Sequence, residues 1–267
     1  MPYAAGLHYE LHGPEGAPPV ILSSGLGGSA SYWAPNLAAL SADHRILAYD
    51  HRGTGRSERA LPHADLPDAG MVGDVIDLMD SLDIPAAHII GHAAGAMIAM
   101  DLAARAPDRV RSIVTINGWA KADPHFLRCF AARLAILRGA GTEAFLRAQP
   151  IFLYPANWIS AHTDELEMEL PHQIASFPGA EIVERRIAAL AAFDITPVAD
   201  RIMAPVQVIV SEDDMLVPSD AGRRLAALLP RAELASLQWG GHAVNITDPQ
   251  GFAQAVLPFL ARQTQEP

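Results

Sequence analysis

Three short segments carry residue types and spacings that suit proton-transfer chemistry. GHAAG spans residues 91–95, SEDD spans 211–214 and GGH spans 240–242, and each follows an apolar run. A carboxylate beside a histidine lets the imidazole take up and return a proton, because the acid orients the ring and stabilises its charged form. The segments therefore predict that Asp214 and His242 form an acid–base pair at the edge of a sheet.

Two adjacent carboxylates compete for the role of the acid. Asp214 lies three positions after the strand-end residue Ser211 and four before Pro218, so we predict Asp214 rather than Asp213. The structural alternative is that either aspartate caps a helix and that His242 only bonds its surroundings. An acid and then a histidine, both following a sharp-turn motif in the chain, favour the catalytic interpretation.

The segment GHAAG has the frame of a nucleophile elbow, G-x-S-x-G, in which small residues allow a sharp strand-to-helix turn. Its central position holds Ala93, and a methyl group cannot form a covalent acyl-enzyme. Main-chain N–H groups survive this change, so we predict an oxyanion hole formed by Ala94 and by Leu26 in the early loop SGLGGS. The expected mechanism moves a proton through His242, to or from water or a leaving nitrogen.

The same early glycines also match a dinucleotide-binding fingerprint. Gly25-x-Gly27-x-x-Ala30 is followed about twenty residues later by Asp50, where a ribose-binding acid would stand. Against this, the crossover from residue 28 to 45 contains a proline, and Asp50 continues into the Gly-rich turn HRGTGRS. We therefore rank dinucleotide binding below the acid–base site and expect no cofactor.

A regular alternation of strand and helix patterns must position these segments. β-rich runs at 20–23, 45–49, 88–91 and 112–117, with helical spacing between several of them, predict an α/β fold with a mostly parallel sheet flanked by helices. The uncharged stretch 84–100 is shorter than the roughly 20 apolar residues of a membrane span, so it fits a buried strand, a turn and a helix. Strand and helix patterns return after residue 206, and Asp248-Pro249 predicts the start of a last helix.

Strand signals disappear between about Trp119 and Phe193, a stretch that holds nine of the chain's 17 aromatic residues. This predicts a helical cap, residues 119–193, inserted after the sixth strand of a core formed by residues 1–118 and 194–267. Most of these aromatic residues must hold the cap together, and a few can line a pocket. We predict that Trp119, Tyr154 and Trp158 bind the substrate.

Composition and charge exclude other classes of protein. The 19 Lys and Arg against 30 Asp and Glu leave a net charge of −11, which disfavours a nucleic-acid groove. The lone cysteine, Cys129, permits no intrachain disulfide and no thiolate zinc cluster. The first ten residues lack the pattern of a secretory signal, so we expect a cytoplasmic protein.

The expected partner is a small molecule, with no metal, nucleic acid or membrane involved, and assembly into a homodimer is left open. An anionic substrate would need a local cation, because the overall negative charge repels it. Arg52, Arg56 and Arg128 are the candidates, and the sequence does not choose among them.

Taken together, the motifs resemble the α/β-hydrolase fold family. SSGLGGSASYW, YDHRGTGRS, GHAAGAM, SEDDMLVP and GGHAVNITDP carry the general likeness, while INGW, RCF and QPIFLYPANW are similar to hydrolases of a bacterial pyrimidine-utilisation pathway. The resemblance extends from about Pro18 to Phe259. It implies a cytosolic step late in uracil breakdown that acts on carbamate or aminoacrylate without metal or organic cofactor, in members that can carry alanine at the elbow.

Two other interpretations stay open. If Ala93 were an engineered replacement, the natural protein would be a covalent serine esterase or amidase. A non-catalytic binding protein could also keep the fold and pocket without the nucleophile, since fold does not dictate function. Retention of both Asp214 and His242 disfavours this second interpretation.

Overall fold

In the computed structural model, helices pack on both faces of an eight-stranded sheet. The structure describes residues 2–62, 68 and 70–265. The strands of this described part are β1 Tyr3–Ala4, β2 Leu7–His12, β3 Pro19–Ser23, β4 Arg45–Tyr49, β5 Ala87–His92, β6 Val110–Ile116, β7 Val206–Ser211 and β8 Ala232–Leu237. The α-helices are α1 Ala34–Leu40, α2 Met71–Ser81, α3 Ala94–Arg105, α4 Pro124–Leu153, α5 Ala156–Ala161, α6 Thr163–Ala175, α7 Ala180–Ala192, α8 Ser219–Leu228, α9 Val244–Thr247 and α10 Pro249–Gln265. Short 3₁₀ helices span Ala30–Trp33, Pro107–Arg109 and Thr196–Arg201.

The strand order across the sheet is β1-β2-β4-β3-β5-β6-β7-β8. β2 pairs antiparallel with β1 and β4, and the six strands β4-β3-β5-β6-β7-β8 run parallel to one another. This confirms the predicted mostly parallel α/β sheet. In parallel strands the carboxyl ends share one edge, so the loops after β3, β5, β7 and β8 meet there.

Two apolar cores lie on opposite faces of the sheet. One includes residues of α2, α3 and α8, and the other includes residues of α1 and α10. The uncharged stretch 84–100 forms β5 and the first part of α3, as the sequence predicted, and β5 is buried throughout. Among the described helices, none has both the length and the apolar character needed to cross a bilayer.

The spacing of Val75, Leu78 and Met79 in the sequence predicts an apolar stripe on helix α2, with Asp74 on its solvent side. The three apolar side chains are buried. Asp74 is buried as well, because its carboxylate accepts a hydrogen bond from Arg52 Nε at 2.7 Å. An ion pair with a distant loop thus draws this carboxylate inward, which the local periodicity does not encode.

The four helices α4 to α7 occupy the chain between β6 and β7. α4 changes direction at Gly141, whose φ of +83° lies outside the helical region. Lys121 and Asp194 form an isolated antiparallel bridge that joins the two ends of this helical segment. We call residues 119–193 the helical segment, and its status as a separate cap domain stays a prediction.

Candidate active site

The turn between β5 and α3 has the sharp geometry of an elbow. Ala93 lies at its apex with φ +48° and ψ −102°, a conformation that is rare for a residue with a Cβ. A Cβ added at Gly91 would overlap the backbone of Gly95, and one added at Gly95 would overlap the carbonyl of Ser23. The two glycines therefore let β3, β5 and α3 approach closely enough to present residue 93 at the edge of the sheet.

The structure brings the predicted acid and histidine together. His242 Nδ1–H donates to Asp214 Oδ2 at 2.8 Å, and both side chains are almost completely buried. The other carboxylate oxygen, Oδ1, accepts from the main-chain N–H groups of Leu216 and Val217 at 2.7 and 2.9 Å. With the Nδ1 proton directed at Asp214, the neutral ring keeps its lone pair on Nε2, where it can accept a proton.

Asp213, the carboxylate that we did not choose, has a different set of partners. It accepts hydrogen bonds from Ser211 Oγ at 2.8 Å and from the N–H of Gly241 at 2.8 Å, and Gly240 N lies 3.3 Å from its second oxygen. These bonds tie the end of β7 to the loop that carries His242. Asp213 therefore shapes the histidine loop, and Asp214 contacts the imidazole.

The imidazole of His242 lies beside the elbow. Its ring centroid is 4.7 Å from that of His92, the residue before Ala93. His92 Nε2–H donates to the carbonyl of His242 at 3.0 Å. Burial, and then the neighbouring His242, lower the pKa of His92 well below its ordinary value. His92 is thus a neutral support of the His242 backbone.

Asn117, at the end of β6, is a residue that the sequence reasoning missed. Its amide Nδ2 donates to the carbonyls of His242 at 2.8 Å and Gly241 at 3.1 Å, and its Oδ1 accepts from Ser211 N at 2.9 Å. One buried side chain thereby fixes the histidine loop against the end of β7. The Asn-Gly pair at 117–118 was the available signal, since Asn tolerates positive φ and Asn117 adopts φ +50°.

Both predicted oxyanion donors lie at the edge of the sheet where the loops after the parallel strands meet. Ala94 is the first residue of α3, so its N–H has no acceptor within the helix, and the positive end of the helix dipole adds to it. Leu26 follows β3, in the loop whose Gly25 lies against the ring of His92. The assignment of these two N–H groups as oxyanion donors stays a prediction.

The three aromatic residues predicted to line the pocket take different positions. Tyr154 follows Leu153, whose carbonyl accepts from Ala243 N at 3.0 Å, so it lies next to the histidine loop. Trp158 packs against Tyr154, with ring centroids 4.5 Å apart. Trp119 is buried, with its ring 4.4 Å from that of Phe126. Substrate contact by these three residues stays a prediction.

The helical segment contacts each of the loops that form the site. On the histidine loop, Ala243 N bonds to Leu153 as described. On the loop after β7, which carries Asp214, the carbonyl of Met215 accepts from His125 Nε2–H at 2.7 Å. On the early loop, Arg186 Nη1 donates to the carbonyl of Leu26 at 3.1 Å. The segment therefore covers the site from the side of the strand ends.

The arginines suggested by the sequence are engaged elsewhere or exposed. Arg52 binds Asp74 and Glu58, Arg56 binds Asp50 and Glu10, and Arg128 is exposed on α4. These contacts explain the first two as structural cations, since each already has carboxylate partners.

Two other arginines, both in the helical segment, are buried, and the sequence analysis did not predict either of them. Arg133 has its guanidinium 5.1 to 5.6 Å from the centroids of three phenylalanine rings, and Arg186 contacts the early loop. Burial lowers the pKa of each to about 10. The available signal was an arginine on an apolar helix face, between Phe130 and Leu137 in α4 and between Val183 and Leu190 in α7.

The structure contradicts the dinucleotide alternative at Asp50. This carboxylate is fully buried and accepts from the N–H of Ala30 at 2.7 Å and from Arg56 N and Nε at 2.8 and 2.9 Å. Its oxygens join the Gly-rich turn to the early loop. Because they are buried and already accept these hydrogen bonds, they cannot bind the hydroxyl groups of a ribose. Among the described residues, no group of three or more His, Cys, Asp or Glu side chains is arranged to hold a metal ion.

Comparisons with known proteins agree with the fold. Residues 18–249 match the alpha/beta hydrolase fold family model. A protein of Caulobacter sp. (strain K31) named "Putative carbamate hydrolase RutD" is 48% identical over 96% of both chains. A relative of the same name from Agrobacterium fabrum is 46% identical over 95% of this chain and 98% of its own. Among solved structures, the enol-lactonase from Burkholderia xenovorans LB400 is 31% identical with a TM-score of 0.86, over 97% of this chain and 100% of that chain.

Proposed function

The chain belongs to the alpha/beta hydrolase fold family, and from this premise we propose that it hydrolyses carbamate or aminoacrylate and releases ammonia late in uracil breakdown. The name of the curated relatives supports a carbamate substrate. The observation that carries the proposal is the hydrogen bond of 2.8 Å between His242 and Asp214, beside an elbow whose apex is Ala93. This arrangement retains proton transfer and lacks a covalent nucleophile.

Both substrates need a proton more than they need an attacking side chain. Carbamate breaks down to ammonia and carbon dioxide once a proton reaches its nitrogen and the C–N bond breaks. Aminoacrylate becomes an imine when a proton reaches carbon, and the imine carbon then accepts water and releases ammonia. In this proposal His242 first takes a proton from water at its free Nε2 as a general base, and the imidazolium then delivers that proton to the substrate as a general acid, while the hydroxide adds to the carbon that loses ammonia.

The rate acceleration expected from proton transfer and an oxyanion hole is sufficient only for substrates that are already reactive. Positioned proton transfer contributes typically about 10²–10⁴ in rate, and one oxyanion donor contributes roughly 10²–10³. A stable amide needs far more acceleration, whereas carbamate and the enamine are already reactive. The proposed chemistry therefore matches what an elbow without a hydroxyl can supply.

The negative charge of either substrate also needs a binding partner. We assign its carboxylate, or the oxyanion that develops, to the N–H groups of Leu26 and Ala94 at the positive end of α3. Trp119, Tyr154 and Trp158 are proposed to close the pocket and exclude water. We place the reaction in the cytoplasm, with a small molecule as the partner and a homodimer as the candidate assembly.

Replacing His242 with alanine tests the proposal. Ammonia release from freshly prepared carbamate and aminoacrylate is measured with and without protein at several pH values. We expect the wild type to accelerate release and His242→Ala to lose about 10²–10⁴ of that acceleration. His172→Ala serves as the matched control, because His172 is exposed on α6.

Equal rates for the wild type and His242→Ala would refute the mechanism. Equal rates with and without protein, combined with saturable binding, would favour a non-catalytic binding protein. A mass spectrum of the protein from its natural source tests the remaining alternative, that Ala93 replaces a native serine.

A further inference from the structure

Arg186 lies on the buried face of α7, in contrast to the arginine that precedes it. Its side chain is 3% exposed and shares this face with Val183, Ile187 and Leu190. Arg185 points to solvent and pairs with Glu181 one turn earlier. Burying a guanidinium costs free energy unless its donors are satisfied, so the location of the Arg186 head group calls for a specific set of acceptors.

Those acceptors are main-chain carbonyls of two loops next to the site. Arg186 Nη1 donates to Leu26 O at 3.1 Å, and Nη2 donates to Arg52 O at 2.6 Å. The pKa of Arg186, although lowered by burial to about 10, leaves the group charged at neutral pH. One cation from the helical segment therefore joins the loop after β3 to the loop after β4.

The loop after β3 is anchored differently at Gly28 and at Leu26. Gly28 is fixed by the sheet domain itself, because its carbonyl accepts from His51 N at 2.7 Å and from Thr54 Oγ1 at 3.1 Å. Leu26 lies between Gly25 and Gly27, and glycine permits a wide range of backbone rotation on either side. In the part of the chain that the structure describes, the hydrogen-bond donor to the Leu26 carbonyl is Arg186, which lies 160 positions later in the sequence.

We propose that Arg186 is a positioning residue that holds Leu26 with its N–H directed at the oxyanion. Holding the carbonyl of Leu26 restricts rotation about its φ and ψ, and so limits the directions in which the N–H of the same residue can point. Because Arg186 belongs to α7, docking of the helical segment and completion of the oxyanion hole become one event. The inference rests on the proposed function in so far as Leu26 is the oxyanion donor.

Hydrogen exchange tests the link without any need for turnover. Amide exchange of a peptide covering residues 24–29 is compared by mass spectrometry in the wild type, Arg186→Lys, Arg186→Met and the neighbouring control Arg185→Met. We expect faster exchange in both Arg186 variants and wild-type exchange in Arg185→Met. Unchanged exchange in a folded Arg186 variant would overturn the proposal.

Steady-state kinetics then separates positioning from direct substrate binding. We expect Arg186→Met to lower kcat roughly 100-fold, the scale of a misplaced catalytic group, with KM within about twofold of the wild type. The pH profile should keep its shape, because His242 and Asp214 are unchanged, and Arg186→Lys should recover part of kcat as a single donor. A raised KM with unchanged kcat would show that the guanidinium binds the substrate, and this would overturn the proposal.

The two readouts distinguish the two possible failures. A wild type that does not accelerate ammonia release refutes the proposed function, while the exchange experiment still decides whether Arg186 holds the loop. If Arg186→Met does not fold, Arg186→Lys keeps the charge and most of the length of the side chain. Activity of Arg186→Lys equal to that of the wild type, with unchanged exchange, would also overturn the inference.

Discussion

At the scale of single residues, Ala93 keeps the conformation of an elbow although it has no nucleophile to present. A positive φ costs a residue with a Cβ about 1–2 kcal/mol. The same turn determines where α3 begins, and hence where the N–H of Ala94 points. We infer that the elbow is retained for its main-chain donor and for the position of His242 beside it.

Restoring a hydroxyl at this position should restore covalent chemistry. We predict that Ala93→Ser becomes acetylated by p-nitrophenyl acetate, because His242 keeps its Nε2 lone pair while Nδ1–H is bonded to Asp214. Intact-protein mass spectrometry would show the addition of one acetyl group, and stopped-flow absorbance would show a burst of nitrophenol. The double variant Ala93→Ser/His242→Ala is the control and should not be acetylated. A folded Ala93→Ser protein that stays unmodified would contradict the geometry inferred for the pair.

At the scale of elements, the site depends on how closely β3, β5 and α3 approach one another. Gly95 lies in the first turn of α3, against the carbonyl of Ser23 at the end of β3. Helices usually lose stability from glycine, so its presence here reflects backbone contact rather than helix propensity. The position of the N–H groups that we propose as oxyanion donors thus follows from packing between main chains.

A pair of glycine-to-alanine substitutions separates the effect of close backbone contact from the effect of helix propensity. We predict that Gly95→Ala lowers the free energy of unfolding by about 3 kcal/mol, or prevents folding, because its Cβ would overlap Ser23. Gly73→Ala is the matched change in α2, where a Cβ meets open space, and should stabilise by about 0.5–1 kcal/mol. Urea denaturation of both variants measures the difference. Equal effects at the two positions would show that close packing does not constrain Gly95.

At the scale of the whole molecule, buried histidines make stability depend on pH. Burial lowers the pKa of His51 and His92 well below their ordinary value, and that of His88 to about 4. The unfolded chain binds a proton at each of these positions below about pH 6.5, whereas the folded chain does not. Stability therefore falls as the pH drops from about 6.5 towards 4.

Removing one of these histidines should weaken the pH dependence. With a folded pKa of about 4, His88 accounts for about 1.4 kcal/mol of the stability lost between pH 7.5 and 5.5. We predict that His88→Leu loses less stability than the wild type over this interval by about that amount, although it leaves Ser112 without its partner at 2.8 Å. Urea denaturation at pH 7.5 and 5.5 measures this loss of stability. His172→Leu is the control, because His172 is exposed. An identical pH dependence in His88→Leu and the wild type would contradict the assignment.

Much of the sheet and the contact between Asp214 and His242 were predictable, because local patterns encode them. Apolar runs located the central strands, and motif spacing located Asp214 and His242. The first two strands were missed, since β2 carries a mixed and partly exposed pattern, and β8 begins two residues earlier than its apolar residues suggested. At both edges of the sheet, one-sided exposure weakens the apolar signal.

The supporting residues of the site were not predictable for a different reason. Arg186 bonds to a carbonyl 160 positions away, and Asn117 bonds to carbonyls 124 and 125 positions away. Every residue has a main-chain carbonyl with the same chemistry. The residue types in a sequence therefore do not indicate which carbonyl a side chain will bond to. Only the topology that brings the strand ends together reveals it.

The methyl group at the elbow also determines how this protein can be detected. Organophosphorus reagents tag serine hydrolases by bonding to the elbow oxygen, and residue 93 offers them no such atom. A survey of a cell extract with these reagents would therefore overlook every copy of the chain, however abundant it is. Relatives that share the alanine would be undercounted in the same way, and inhibitors of this kind would spare them.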